Sequence, residues 1–254
     1  MDCQQRAVPI FAYHRVHADN DPLMPKVRTD LFSGHVTESE FRKQMAALAD
    51  RGFTTVCHDQ LAQWLYEGQP LPEGKVAAIG FDDNRLNVLE NALPVMTDYG
   101  FKATVWVISR LADGNLPDYE TYPWLNWDQL AELHEQGWEI GAHTATHPFA
   151  PWIIRGTSGP DGTQRYVDDL VECNDSIERH LGFAPQHFAY PGGEWNDEAE
   201  ALIVRLYKTA RHWECDDRPY HHNTWQTNPY RLQAINVSMH MPFERFVQLL
   251  DGAQ

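Results

Sequence analysis

Short apolar runs rich in β-branched and aromatic residues alternate with amphipathic helical patterns along the whole chain. The clearest runs are Val8 to Tyr13, Lys75 to Phe81, Ala103 to Ile108 and Leu232 to Val237. A repeated strand-then-helix order is typical of parallel β/α units. We count seven or eight such strands and find no repeat, low-complexity tract or linker. The pattern therefore predicts an α/β fold, a complete or incomplete (β/α) barrel that forms one domain over residues 1–254.

The excess of acidic over basic side chains limits which kinds of molecule this protein can bind. Twenty basic and 36 acidic side chains give a formal net charge of -16, which argues against nucleic acid or an anionic membrane surface. No stretch approaches the roughly 20 apolar residues of a membrane span. The first six residues lack the apolar core of a secretory signal, which predicts a cytoplasmic protein as given. A removed signal peptide would leave the same picture in a secreted or periplasmic protein. The four cysteines have no Cys-x-x-Cys spacing and are predicted to be free thiols.

Chemically versatile side chains follow the ends of several predicted strands. Asp82 and Asp83 end the run that begins at Lys75, and His143 and His147 follow the run Trp138 to Ala142. The active sites of such barrels collect at the carboxyl ends of the strands. One carboxylate and two imidazoles can hold a divalent metal, while a second carboxylate takes a proton from water. The sequence thus predicts the metal-and-base set of a hydrolase.

Further candidates lie at other strand ends. His14 follows the first strand, and Tyr190, Pro191 and Gly192 follow the sixth. Trp195 and Trp213 come after candidate site loops and offer faces on which a sugar ring can stack. The remaining histidines that we assign to the surface or to loops are His58, His134, His180, His187, His212, His221 and His222.

At these residues the sequence resembles the polysaccharide deacetylase family, whose NodB-homology fold is a distorted (β/α) barrel. The family motif Thr-Phe-Asp-Asp-Gly appears as residues 80–84, Gly-Phe-Asp-Asp-Asn, and His-Ser/Thr-x-x-His appears intact as residues 143–147. The resemblance implies a barrel of about seven strands. It also implies that Asp82 is the general base and that Asp83, His143 and His147 hold one divalent metal. Zinc is the expected ion, with cobalt, nickel or iron as alternatives.

The third family motif, Arg-Pro-Pro-Tyr-Gly, is altered. Ala189 stands where an arginine would orient the catalytic aspartate, and Gly192 stands where a backbone N–H would help to bind the oxyanion. Together with residues 13–16, Tyr-His-Arg-Val, this pattern resembles the branch that deacetylates poly-N-acetylglucosamine. In that branch the general acid is a first-strand histidine, here His14. The more usual family acid lies in a late Leu-His motif, for which His240 is the match.

The function implied by the resemblance is the removal of N-acetyl groups from an amino sugar or polysaccharide. Two alternatives use the same residues. One is a metal-dependent deformylase or other C–N hydrolase acting on a small amide or sugar. The other is a carbohydrate-binding relative without catalysis, against which the spare carboxylate of Asp82 speaks, because a binding module needs no base.

Overall fold

A computed structural model of the protein describes residues 6–22, 34–115, 123–155, 161–214 and 221–252. The strands are β1 Ile10–Tyr13, β2 Arg15–His17, β3 His35–Thr37, β4 Phe53–Thr55, β5 Lys75–Asp82, β6 Thr104–Val107, β7 Glu139–Ala142, β8 His187–Ala189, β9 Thr209–Glu214 and β10 Leu232–Asn236. The α-helices are α1 Glu38–Asp50, α2 His58–Glu67, α3 Leu93–Asp98, α4 Ser109–Ala112, α5 Trp127–Glu135, α6 Ala150–Arg155, α7 Asp161–Leu181, α8 Asp197–Ile203 and α9 Phe243–Asp251. A π-helical turn, Val88–Ala92, precedes α3, and a 3-10 turn, Pro191–Gly193, follows β8.

Seven parallel strands close into a barrel in the order β1, β10, β9, β8, β7, β6, β5 and back to β1. Strand β5 is long enough to have two partners on one side. Its first half pairs with β4, where Phe53 is opposite Lys75, and its second half pairs with β1, where Ile10 is opposite Ala78. Strands β2 and β3 form a separate parallel pair. The predicted barrel of about seven strands is confirmed.

Inside the barrel, one tryptophan occupies space that two glycines leave open. Trp106 is fully buried, and a Cβ atom added at Gly80 would lie 2.6 Å from its indole nitrogen. Gly141, opposite Trp106 in the register of β6 and β7, faces the same indole ring. A side chain at either glycine would displace this ring, so the two glycines fix how the interior is filled below the polar residues at the strand ends.

A polar network closes the opposite, amino-terminal end of the barrel. Glu139 at the start of β7 accepts hydrogen bonds from the backbone N–H groups of His58 and Asp59 at 2.9 and 2.8 Å, and so caps α2. His187 lies 3.1 Å from the Asp59 carboxylate and 2.8 Å from the Thr209 hydroxyl.

The assignment of histidines to the surface or to loops was wrong for three of them. His58, His187 and His212 are 1%, 1% and 8% exposed, because β8, β9 and the start of α2 turn them inward. His134, His180 and His221 are exposed as predicted.

Two local patterns differ from the structure. The glycine, proline and serine content of residues 150–163 predicts a loop, but these residues include α6 and the start of α7. The sequence pattern predicts a strand from Tyr207 to Ala210, whereas β9 runs on to Glu214. Cys57 and Cys173 are free thiols as predicted, whereas Cys3 and Cys215 lie outside the described residues. Within the described residues, none of the helices combines the length and apolar character that a membrane crossing requires.

Candidate active site

The carboxyl ends of β5 and β7 bring the two predicted motifs together. Strand β5 is buried from Val76 onward and ends at Asp82, so the chain turns at Asp83 inside the rim of the barrel. His143 directly follows β7 and is 1% exposed. The side chain of His147, one short turn later, is 31% exposed and marks the open side of the site.

Asp83, His143 and His147 form a group that fits a divalent metal. The Asp83 Oδ1 atom lies 3.5 Å from the Nε2 atom of each histidine. Zinc bonds of about 2.0–2.2 Å in tetrahedral geometry place neighbouring ligand atoms about 3.3–3.6 Å apart. Among the described residues, no hydrogen-bond donor satisfies this buried Oδ1 atom. A cation between the three atoms would supply its missing partner.

A second group with metal-ligating side chains lies at the other end of the barrel. Asp59, Glu139 and His187 also place one ligand atom each within 4.8 Å of one another. The Glu139 carboxylate is engaged in capping α2, however, and Asp59 is hydrogen-bonded to His187. The group at Asp83 is therefore the better candidate for a metal centre.

Asp83 is held by an arginine that follows it closely. The Arg85 guanidinium donates a 2.9 Å hydrogen bond to Asp83 Oδ2, and both side chains are 9% exposed. Burial alone would raise the pKa of Asp83. Arg85 and the neighbouring histidines outweigh burial and hold this pKa well below its usual range. Asp83 is thus ionised, as a metal ligand must be.

The two histidines are oriented by groups outside the metal set. His143 Nδ1 lies 2.8 Å from the backbone oxygen of Ala189, so an Nδ1–H donor there leaves Nε2 as the ligand atom. Burial lowers the pKa of His147 to about 4, which favours its neutral, metal-binding form. Asp169 of α7 accepts hydrogen bonds from the N–H groups of Ala145 and Thr146 at 2.6 and 3.2 Å. These contacts fix the loop that carries both histidines.

Asp82 pairs with an arginine from the far side of the barrel. Arg211 of β9 donates to Asp82 Oδ1, and both side chains are fully buried. The guanidinium also lies 5.0 Å from the centre of the Trp106 ring. Because residue 189 is alanine, the sequence did not indicate which residue orients Asp82. In the structure Arg211 makes that contact. With Oδ1 engaged, Oδ2 accepts no hydrogen bond from the described residues.

His14 lies next to Asp82, the predicted base. Its Nε2 atom is 3.9 Å from Asp82 Oδ2, and its ring meets Trp213 edge-on at 6.0 Å. Burial lowers the pKa of His14, while Asp82 and Asp83 act in the opposite direction. His240 is exposed in the segment after β10, where it lines a surface cavity of about 830 Å³ with Asp19 and Glu244. Of the two candidate acids, only His14 contacts the predicted base.

The turn after β8 passes beside the metal group. Gly192 has φ +64°, and a Cβ atom there would lie 2.8 Å from the Phe149 ring. The same ring packs edge-on against His147 at 5.6 Å. Pro191 and Tyr190 are buried, whereas Gly192 and Gly193 are half-buried, so a substrate can reach the turn at its two glycines.

The two candidate stacking residues differ in their surroundings. Trp195 is half-buried, and the Arg231 guanidinium covers its ring at 4.0 Å. Trp213 is half-buried beside His14, with its backbone against Gly193. Trp213 therefore lies at the site, whereas one face of Trp195 is already occupied.

Several residues that shape the site were not singled out from the sequence. These are Arg85, Trp124, Phe149, Asp169 and Arg211. Arg85 and Phe149 each lie two residues from the motif residue that they contact, so closeness in sequence was a usable signal for both. Trp124, Asp169 and Arg211 act through contacts between segments that are distant in sequence.

Comparisons with known proteins give related sequences and a family match. The family model described as polysaccharide deacetylase matches residues 70–209, more than half of the chain. YxkH of Bacillus subtilis is 28% identical over 191 residues, which are 75% of this chain and 58% of YxkH. The poly-beta-1,6-N-acetyl-D-glucosamine N-deacetylase of Staphylococcus epidermidis is 26% identical over 197 residues, which are 73% of this chain and 65% of that protein. The chain thus spans less than two thirds of the length of these two relatives.

Solved structures share the fold. The Streptococcus pyogenes deacetylase PplD superimposes with a TM-score of 0.77 at 22% identity, covering 96% of this chain and 98% of PplD. IcaB from Ammonifex degensii gives a TM-score of 0.77 at 18% identity, covering 98% of this chain and 99% of IcaB. With the matched family model, these findings identify the chain as a member of the polysaccharide deacetylase family.

Proposed function

We propose that this protein is a metal-dependent hydrolase that removes N-acetyl groups from an amino-sugar polymer. The observation that carries the proposal is the close placement of a complete ligand set, Asp83, His143 and His147, beside a separate carboxylate, Asp82. A ligand set alone would suit a binding protein. The second carboxylate is buried directly before Asp83 in the chain and has one oxygen without a partner among the described residues, and such a base is what hydrolysis requires.

Asp83, His143 and His147 would hold the ion, with zinc expected and cobalt, nickel or iron as possible replacements. A divalent ion bound there acts as a Lewis acid toward the acetyl carbonyl and makes water more acidic. The ion therefore belongs beside Asp83 Oδ1, which is the ligand atom that lacks a partner among the described residues.

The chain's own residues supply the proton transfers. Asp82 takes a proton from the attacking water through Oδ2, because Arg211 occupies Oδ1. The Gly192 N–H donates to the oxyanion as the carbonyl carbon becomes tetrahedral. His14 then gives a proton to the amide nitrogen as the C–N bond breaks, which releases acetate and a free amine. The proton held by Asp82 returns to His14 once the two side chains close the 3.9 Å between Oδ2 and Nε2 to hydrogen-bond distance, which resets both groups.

The substrate class rests on likeness and on chemistry. The Staphylococcus epidermidis relative is named for deacetylation of poly-beta-1,6-N-acetyl-D-glucosamine. The aromatic rings of Trp213 and Phe149 flank His14 and His147 and offer apolar faces to a sugar. The net charge of -16 suits a product that gains a positively charged amine with each turnover.

Metal analysis combined with acetate release tests the proposal. The metal-loaded protein is incubated with β-1,6-linked and β-1,4-linked N-acetylglucosamine oligomers, with the monosaccharide and with N-formyl analogues. We expect acetate from an oligomer, and we expect Asp82→Asn to keep its metal but to lose turnover. Release of formate alone would support a deformylase, and metal binding without any hydrolysis would support a binding protein.

A further inference from the structure

Asp83 presents its two carboxylate oxygens to different partners. Oδ1 faces the two histidines at 3.5 Å and accepts no hydrogen bond from the described residues. Oδ2 accepts a 2.9 Å hydrogen bond from Arg85 Nη2. A carboxylate with both oxygens free can bind a cation through one or both of them, or swing between the two modes. The Arg85 contact removes that freedom, because Oδ2 cannot turn inward without breaking a buried, charge-assisted hydrogen bond.

Arg85 is itself fixed from the other side. Its guanidinium lies 3.7 Å from the centre of the Trp124 ring, and the two residues form an antiparallel backbone bridge. This is the distance of a close cation–π stack, which orients the planar guanidinium. Trp124 thus limits the directions in which Arg85 can donate.

The segment around Trp124 is tied to the first motif by Asn84. The Asn84 backbone oxygen accepts a 2.8 Å hydrogen bond from Leu125 N, and its side chain donates to Leu125 O at 3.3 Å. Asn84 Oδ1 also accepts from Ile108 N at 3.0 Å, directly after β6. The departure from the family motif at this position, asparagine in place of glycine, therefore connects the aspartate loop to the segment that carries Trp124.

We propose that Arg85 is a positioning residue that keeps Asp83 a one-oxygen metal ligand, and that Trp124 holds Arg85 in that pose. The inference rests on the proposed metal site. It adds that Arg85 sets how many oxygens of Asp83 bind the ion. Partners that hold a ligating carboxylate in place typically contribute about 10–100-fold to metal affinity. We expect a loss of this size when Arg85 can no longer hold Oδ2.

The test measures metal binding and coordination without reference to turnover. The dissociation constant for zinc is obtained by competition with a chromophoric chelator, and the visible spectrum of the cobalt-loaded protein reports coordination number. For Arg85→Ala we expect about 10–100-fold weaker zinc binding and a weaker cobalt absorption, as Asp83 becomes free to bind through both oxygens. Arg42→Ala is the matched control, because Arg42 is exposed and pairs with Asp98 and Glu38.

Trp124→Leu keeps Arg85 and its charge but removes the aromatic ring on which the guanidinium stacks. This variant therefore tests the positioning role of Arg85 even if Arg85→Ala fails to fold. It should bind zinc several-fold more weakly than the wild type. Unchanged affinity and spectrum in the folded variants would overturn the role of Arg85 and leave the proposed function standing. A wild-type protein that binds no divalent metal would instead overturn the proposed function.

Discussion

Arg211 of β9 reaches across the barrel interior to pair with Asp82 at the end of β5, and both side chains are fully buried. The family motif would place an arginine at residue 189, which is alanine in this chain. Arg211 is the arginine that contacts Asp82. A buried ion pair of this kind constrains geometry strongly but contributes little net stability, since desolvation offsets the attraction. Loss of one partner is different, because it leaves a buried charge without compensation.

The first prediction concerns stability. Arg211→Met should destabilise the protein by about 3–5 kcal/mol, because the Asp82 carboxylate stays buried and unpaired. Adding Asp82→Asn removes that charge, so the double variant should be more stable than Arg211→Met alone. Urea unfolding of the wild type, both single variants and the double variant gives the coupling energy. Strictly additive effects would show that the two groups do not interact.

The second prediction separates the two candidate acids. His14→Ala should lower kcat by about 10²–10⁴-fold, the range of one general acid, because His14 lies beside Asp82. His240→Ala should leave kcat nearly unchanged, since His240 is exposed in the segment after β10. Both variants should bind metal as the wild type does. A near-normal His14→Ala paired with an inactive His240→Ala would reverse the assignment.

The third prediction concerns the oxyanion turn. Gly192→Ala requires φ near +64° of an alanine and drives its Cβ into the Phe149 ring. The turn should shift and misdirect the Gly192 N–H, which we expect to lower kcat by up to about 10²-fold with metal content unchanged. Adding Phe149→Ala relieves the collision and should restore part of the activity. Activity unaffected by Gly192→Ala would exclude a role for this N–H.

The fourth prediction concerns acid sensitivity. Burial lowers the pKa of His35 to about 2 and of His212 to about 4, and it holds the pKa of His58 well below its usual value. Below about pH 6.5 the unfolded chain binds protons that these folded histidines do not bind. Stability should therefore fall as the pH drops from 7 toward 4, by about 1.4 kcal/mol per pH unit for each histidine.

Urea unfolding between pH 7 and pH 5 measures this slope. His58→Gln should reduce it by about 1.4 kcal/mol per pH unit in the lower part of that range. Equal slopes in the wild type and His58→Gln would contradict the assignment of His58 as a buried neutral histidine.

Local patterns were enough to predict the barrel and to single out the three side chains that form the candidate metal centre. Asp83, His143 and His147 each lie within a short motif directly after an apolar strand, and a parallel barrel brings such strand ends to one rim. The expectation that Asp82 needs a different orienting partner also came from the sequence, through Ala189. Which residue fills that role depends on what faces β5 across the interior. That requires the order and stagger of all seven strands.

The same limit explains the misplaced histidines. His58, His187 and His212 lie in segments whose polarity is typical of a surface, and their burial comes from tertiary partners. Glu139, Thr104 and Thr209 satisfy polar groups at the amino-terminal end of the barrel, although they lie on three different strands. A buried polar network of this kind has no periodicity, so patterns of hydrophobicity do not report it.

Four residues with left-handed backbone lie in the two metal motifs. Within the described residues, Asp83, Asn84, Thr144 and His147 are the non-glycine positions with positive φ. Each such residue costs of order 1 kcal/mol, so the surrounding barrel must outweigh several kilocalories of local strain before any ligand arrives. The folded protein therefore carries backbone strain in the two loops of its candidate active site. A lineage of this protein selected for heat resistance alone would be expected to relax these two loops first, and to lose the geometry of the candidate metal centre while gaining stability.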